Sequence, residues 1–297
     1  MSFPVSDAAF EGFRIARERP KSVLFWALVY FLFSTLAIVL IIQVLGPDAA
    51  LLFVQPPQSQ MTQAETLRLF GVAGKLYAIL GPIVLVFGSA MSCAVYRAVL
   101  RPEEEGLPLR FGGDEIRLVG LWILLALIVF GAIFVVAFVL TFFAALIGAA
   151  AGAAAAGVVS GIVFVGMICA MIWLSVRLSL AAPMTFAERR IRIRDAWALT
   201  KGHFWHLAGC YLLAAIFSLI VVLLGLVIAF ALSAVTGGGL GAIGELIKPD
   251  MTSFSTYFSP VRWVYMAVAA LLTAMQYVIL MAPPAVAYQV LSAERAS

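Results

Sequence analysis

His203, His206 and Cys210 stand at i, i+3 and i+7, a spacing that sets three metal-ligating side-chain types on one helical face. That face opens an apolar stretch and has Trp205 beside it, so it equally describes a belt of rings at a membrane boundary. Gly239-Leu-Gly-Ala-Ile-Gly244 has the spacing of a dinucleotide fingerprint. It follows an apolar span with no strand-helix-strand unit around it, and reads as loop glycine. Carboxylates cluster at Glu103-Glu104-Glu105 and Asp114-Glu115, in a segment rich in Arg, Pro and Gly that reads as a solvated connector. The chain holds no H-E-x-x-H, no G-x-S-x-G and no Walker loop. These patterns lead us to expect no catalytic residue, no metal site and no cofactor.

The arginines carry more weight. Arg97 and Arg177 lie inside the apolar ends of two long stretches, where a charge is costly unless it reaches water or a partner. One reading is snorkelling, with the stem in hydrocarbon and the guanidinium at the phosphate level. The other points both residues inward, holding an anionic headgroup or substrate between helices. Arg189, Arg190, Arg192, Arg194 and Lys201 follow in a basic loop, with Trp197 and Trp205 interleaved. Basic, aromatic patches also suit nucleic acid, but each patch here abuts an apolar stretch. Membrane lipids with anionic headgroups are therefore the expected partner, with a protein partner at the same face as the second expectation and no nucleic acid.

Composition explains why every patch abuts such a stretch. Apolar residues reach 64%, charged residues 11%, and the mean hydropathy is +1.09, so the solvent is lipid. A membrane helix needs about 20 mainly apolar residues. Six segments qualify: Ser22 to Leu45, Leu76 to Leu100, Leu118 to Leu146, Val158 to Leu180, Leu207 to Val235 and Trp263 to Leu291. Both faces of each are apolar, which excludes the alternation of a barrel strand. None contains an acid, so no proton or cation relay is expected inside the bilayer. The first segment outruns a signal-peptide core and lacks a small-x-small site after it, and reads as a retained span. Cys93, Cys169 and Cys210 sit in three different spans and read as packing residues.

Charge sets the orientation. Of the 19 Lys and Arg residues, only Arg68, Lys75, Lys248 and Arg262 fall on one side. The positive-inside rule then places both termini and the basic loops in the cytoplasm. The fold expected is an all-α integral membrane protein, with six transmembrane helices in three hairpin repeats and interfacial helices on the cytoplasmic side.

The repeat is read from short matches. Phe13, Ile15 and Arg17 recur as Trp197, Leu199 and Lys201, and the even spans end alike around Tyr96-Arg97, Val176-Arg177 and Tyr288-Gln289. Three parallel units of about 8–100, 110–182 and 191–292 follow, within one polytopic domain of residues 1–297. Thr62-x-x-Glu65 is a capping box that should start the second helix well before Leu76. Ser259-Pro260 should start the sixth, and Gly202 should bend the chain before the fifth. Gly81-Pro82 and Pro283-Pro284 should kink their helices. Gly148, Gly152, Gly157 and Gly161 have spacings that allow the third and fourth helices to approach closely, or that a glycine-rich turn produces by chance. Gln276 and Tyr277 form a polar pair at mid-span, where an interhelical hydrogen bond is expected.

The run Arg177-Leu-Ser-Leu-Ala-Ala-Pro183, followed by Asp195-Ala-Trp-Ala-Leu-Thr-Lys-Gly-His-Phe-Trp205, resembles the bacterial family known as the membrane domain of glycerophosphoryl diester phosphodiesterases. In such fusions hydrolysis belongs to a separate soluble domain. The resemblance thus implies a multi-pass protein of the bacterial inner membrane and transfers no catalytic residue. A non-catalytic membrane component is the leading expectation. A transporter or lipid translocator with a site between hairpins is the rival.

Overall fold

The computed structural model describes residues 5–48, 52, 62–104, 109–235, 250–251 and 253–296. Six helices are long and apolar enough to cross a membrane, and the chain is a multi-pass membrane protein. They are α2 (Pro20–Leu45), α3 (Gln63–Leu100), α4 (Gly113–Ala151), α5 (Ala153–Leu178), α8 (Phe204–Val235) and α10 (Pro260–Ala296). Four shorter helices join them: α1 (Val5–Glu18), α6 (Ala181–Glu188), α7 (Ile193–Leu199) and α9 (Phe254–Tyr257). No strand occurs among the described residues.

Local chemistry fixes the boundaries. Thr62 N–H donates to Glu65 Oε2 at 2.8 Å while Glu65 N–H donates back to Thr62 Oγ1 at 3.3 Å, so α3 starts 13 residues before the apolar run at Leu76. Ser259 Oγ accepts the Arg262 N–H at 3.2 Å and Pro260 opens α10. Gly202 turns the chain between α7 and α8 at φ +91°, and Gly152 turns α4 into α5 at φ +85°. The helices run on through Pro82 and through Pro283-Pro284.

The glycine spacings divide. A Cβ on Gly148 would meet Ala156 Cβ at 3.5 Å, so close approach of α4 and α5 is real beside their turn. Gly157 and Gly161 face open space and bring no helix together.

Packing is concentrated at one end of the bundle. The main core takes Val23 and Trp26 from the start of α2, Leu118 and Leu121 from the start of α4, and Leu207 and Cys210 from the start of α8. It takes Cys93 to Tyr96 from the end of α3 and Ala282 to Leu291 from the end of α10. These segments meet at the end that also carries α1, α6, α7 and the basic residues, and we call it the basic end. There α10 is the hub, packed against α1, α2, α3, α6 and α8. Gly12 of α1 lies so close to α10 that a Cβ there would stand 2.6 Å from Ile279 Cα. The short helix α6 is buried from Ala181 to Phe186. Away from this end, α4 and α5 present Phe130, Phe134, Phe138, Ile162 and Phe164 outward, as lipid-facing helices do.

One mid-span polar side chain bonds across helices. Gln276 Nε2 donates to the Ser218 carbonyl at 3.4 Å, the interhelical bond expected for this residue.

Candidate functional site

The last turn of α3 places Arg97 and Arg101 on one face, four residues apart. The first turn of α4 brings Asp114, Glu115 and Arg117 opposite them. Glu115 joins the two elements. Its Oε2 accepts the Gly112 N–H at 2.9 Å, capping α4, and its Oε1 accepts Arg97 Nη2 at 2.9 Å. The carboxylate is only 4% exposed, and the Arg97 side chain 11%. Glu104 adds a second acid 3.7 Å from Arg97 Nε.

Arg101 completes the wall. It pairs with Asp114 at 3.4 Å and Glu104 at 3.5 Å, and its Nη2 donates to the Phe186 carbonyl at 3.0 Å. The Phe186 ring, buried in α6, lies 4.6 Å from the Arg101 guanidinium and 5.7 Å from that of Arg97. Arg117 pairs with Asp114 at 2.7 Å. Arg189 ends α6 in the left-handed region at φ +56°, which turns the chain at the rim.

Between these groups lies a partly open cavity of about 510 Å³. Its described lining holds Arg97, Arg101, Arg110, Arg117 and Arg189 against Glu104, Asp114 and Glu115, an excess of two positive charges. The N-terminus of α4, at Gly112 and Gly113, lies in the same wall and adds the positive end of a helix dipole. Arg97 Nη1 is buried here with no hydrogen-bond partner. Planar guanidiniums around a water-accessible cavity recognise oxyanions, phosphate above all, by charge-assisted bonds. The described lining includes no Ser, Thr, Cys, His or Lys.

Arg97 and Arg177, paired in the sequence, go to different places. Arg177 lies against the Trp173 and Trp197 rings, at 5.7 and 5.3 Å, and its Nη1 donates to Thr200 Oγ1 at 3.4 Å. The two rings meet edge-on at 5.1 Å. Both arginines are half-buried and contact protein groups. Arg190 and Arg194 are exposed, and Arg192 spans Glu188 and Asp195 at 3.3 and 3.5 Å. Lys201 is exposed beside a second, 320 Å³ cavity, and Trp205 stands 82% exposed.

The reading of Asp114-Glu115 as a solvated connector is corrected for Glu115, which is buried because α3 and α4 meet at its carboxylate. Arg101, Arg110 and Arg117 also escaped selection. The available signal was Gly112-x-x-Glu115, a helix start with its acid three residues on. The histidine-cysteine face is not assembled. His206 is exposed, Cys210 is buried, and His203 Nε2 lies 3.9 Å from Glu294. Among the described residues no three His, Cys, Asp or Glu side chains are placed to hold a metal. Gly239 to Gly244 and Glu105 lie outside the described residues.

No family model, curated protein or solved structure matches the chain.

Proposed function

We propose that the chain is a non-catalytic protein of the bacterial inner membrane, with its basic end in the cytoplasm, where it engages the phosphate of anionic lipid headgroups. The observation that supports this most is a water-accessible cavity whose described lining holds five arginines against three carboxylates. A headgroup phosphate offsets the excess charge and accepts charge-assisted bonds from the guanidiniums that line the cavity. Arg190, Arg192 and Arg194 extend the positive field around it, each contributing about 1 kcal/mol to anionic-lipid attraction near the surface. The three hairpin units and the likeness of residues 177–205 to phosphodiesterase membrane domains belong to the same reading, as a scaffold without a hydrolytic site. Reversing Arg189, Arg190, Arg192 and Arg194 to Glu together should deplete phosphatidylglycerol from the lipid that copurifies with the protein. Unchanged lipid composition in a correctly oriented variant overturns the reading.

A further inference from the structure

A further cavity, of about 440 Å³, lies between the spans and shares no lining residue with the arginine site. We propose that it binds a neutral lipid carrying a free hydroxyl, of the diacylglycerol type, with the hydroxyl inserted and the chains trailing into the bilayer. This does not depend on the anionic-lipid reading.

Three features select that occupant. First, no charged side chain lines the cavity, so a phosphate drawn into it would be desolvated without a partner. Second, Ala126 of α4 and Ser175 of α5 are exposed at its rim although both lie within membrane spans, so the mouth faces lipid. Third, its polar groups match a hydroxyl. Pro284 has no N–H to offer the Leu280 carbonyl four residues before it, and both residues line the cavity, which leaves an acceptor there without its usual helical donor. Tyr96 Oη reaches only the Met281 thioether, at 3.8 Å, a weak acceptor. Tyr211 Oη donates to Ser179 Oγ at 2.7 Å, and Ser179 Oγ donates on to the Val176 carbonyl at 2.8 Å, so the Tyr211 oxygen keeps its lone pairs free to accept. A hydroxyl both donates and accepts, so one group satisfies the carbonyl and Tyr96 together. The rest of the wall, including Trp122, Leu125, Val129 and Leu178, is apolar and suits an acyl or glyceryl stem better than water.

The test is photolabelling of the full-length protein in phosphatidylcholine nanodiscs. One probe is a diacylglycerol with a diazirine near the glycerol end of one acyl chain, and the other is phosphatidylcholine bearing the same chain. The diacylglycerol probe should label peptides containing Trp122 to Val129 or Leu280 to Pro284 at least five-fold more than the phosphatidylcholine probe, and dioleoylglycerol should compete. Ala126→Trp, which fills the mouth, should abolish the difference. Tyr96→Phe, which removes one hydroxyl and leaves the ring packing, should reduce it by roughly five-fold, the size of one neutral hydrogen bond. Equal labelling by both probes, or a preference untouched by Tyr96→Phe in folded protein, would mean ordinary bilayer lipid in a groove and would overturn the proposal.

Discussion

The Arg97 guanidinium and the Glu115 carboxylate meet at 2.9 Å across the join between α3 and α4, the acid almost wholly out of solvent. A buried pair gains little over apolar residues of the same size, but removing one member strands the other. Glu104, at 3.7 Å, relieves part of that cost here. Glu115→Gln should therefore destabilise the protein by about 3 kcal/mol, read as thermal unfolding in detergent. The double change Arg97→Met with Glu115→Leu should recover most of the loss. A single variant as stable as the parent would show that the pair does not hold α3 to α4.

Gly12 tests how α1 is held. Its missing Cβ would stand 2.6 Å from Ile279 Cα, against backbone that cannot move aside locally. Gly12→Ala should cost about 2 kcal/mol by overpacking and should open α1 to proteolysis. Gly157→Ala faces open space in a helix and should be neutral or stabilising by up to about 1 kcal/mol. Equal tolerance at both positions would mean that α1 is not docked on α10.

Topology follows from charge and is read with single cysteines. In a background lacking exposed Cys169, a cysteine at Ser255 should react with an impermeant thiol reagent added to spheroplasts. A cysteine at Arg190 should react only after lysis. Thr185 is unsuitable as a probe of the basic side because α6 buries it to 1% exposure. The reverse labelling pattern would invert the orientation on which the lipid reading rests.

The spans were legible because lipid imposes one requirement on all of them, a long apolar run with its backbone bonds closed inside a helix. Helix starts were legible where one side chain decides them, as at Thr62-Glu65 and Ser259-Pro260. The site was only half legible. Arg97 is flagged by its place at a span end and Arg189 by its basic loop, but Glu115 needs a partner that arrives from a different helix, and an ion-paired wall has the same composition as a solvated loop. Arg177 shows the same limit: Trp173 and Trp197 come together beside it only once α7 folds back on α5. The burial of α6 escaped because Ala-Ala-Pro-Met-Thr-Phe-Ala-Glu has neither the length of a span nor a strong stripe. The Gly-xxx-Gly spacing left close approach and chance as alternatives, and at Gly157 and Gly161, which face open space, it is chance, since small residues are also what a lipid-facing, alanine-rich helix contains.

The central claim is headgroup recognition at the arginine cavity, and native mass spectrometry of the purified protein titrated with phosphatidylglycerol or phosphatidylcholine tests it most directly. Phosphatidylglycerol should bind more tightly, and its advantage should shrink as ionic strength rises. Arg189→Gln and Arg117→Gln should each weaken it roughly five-fold, the equivalent of about 1 kcal/mol per cation, and leave phosphatidylcholine binding unchanged. Equal affinity for the two lipids, or a preference indifferent to salt and to both substitutions, would contradict the account.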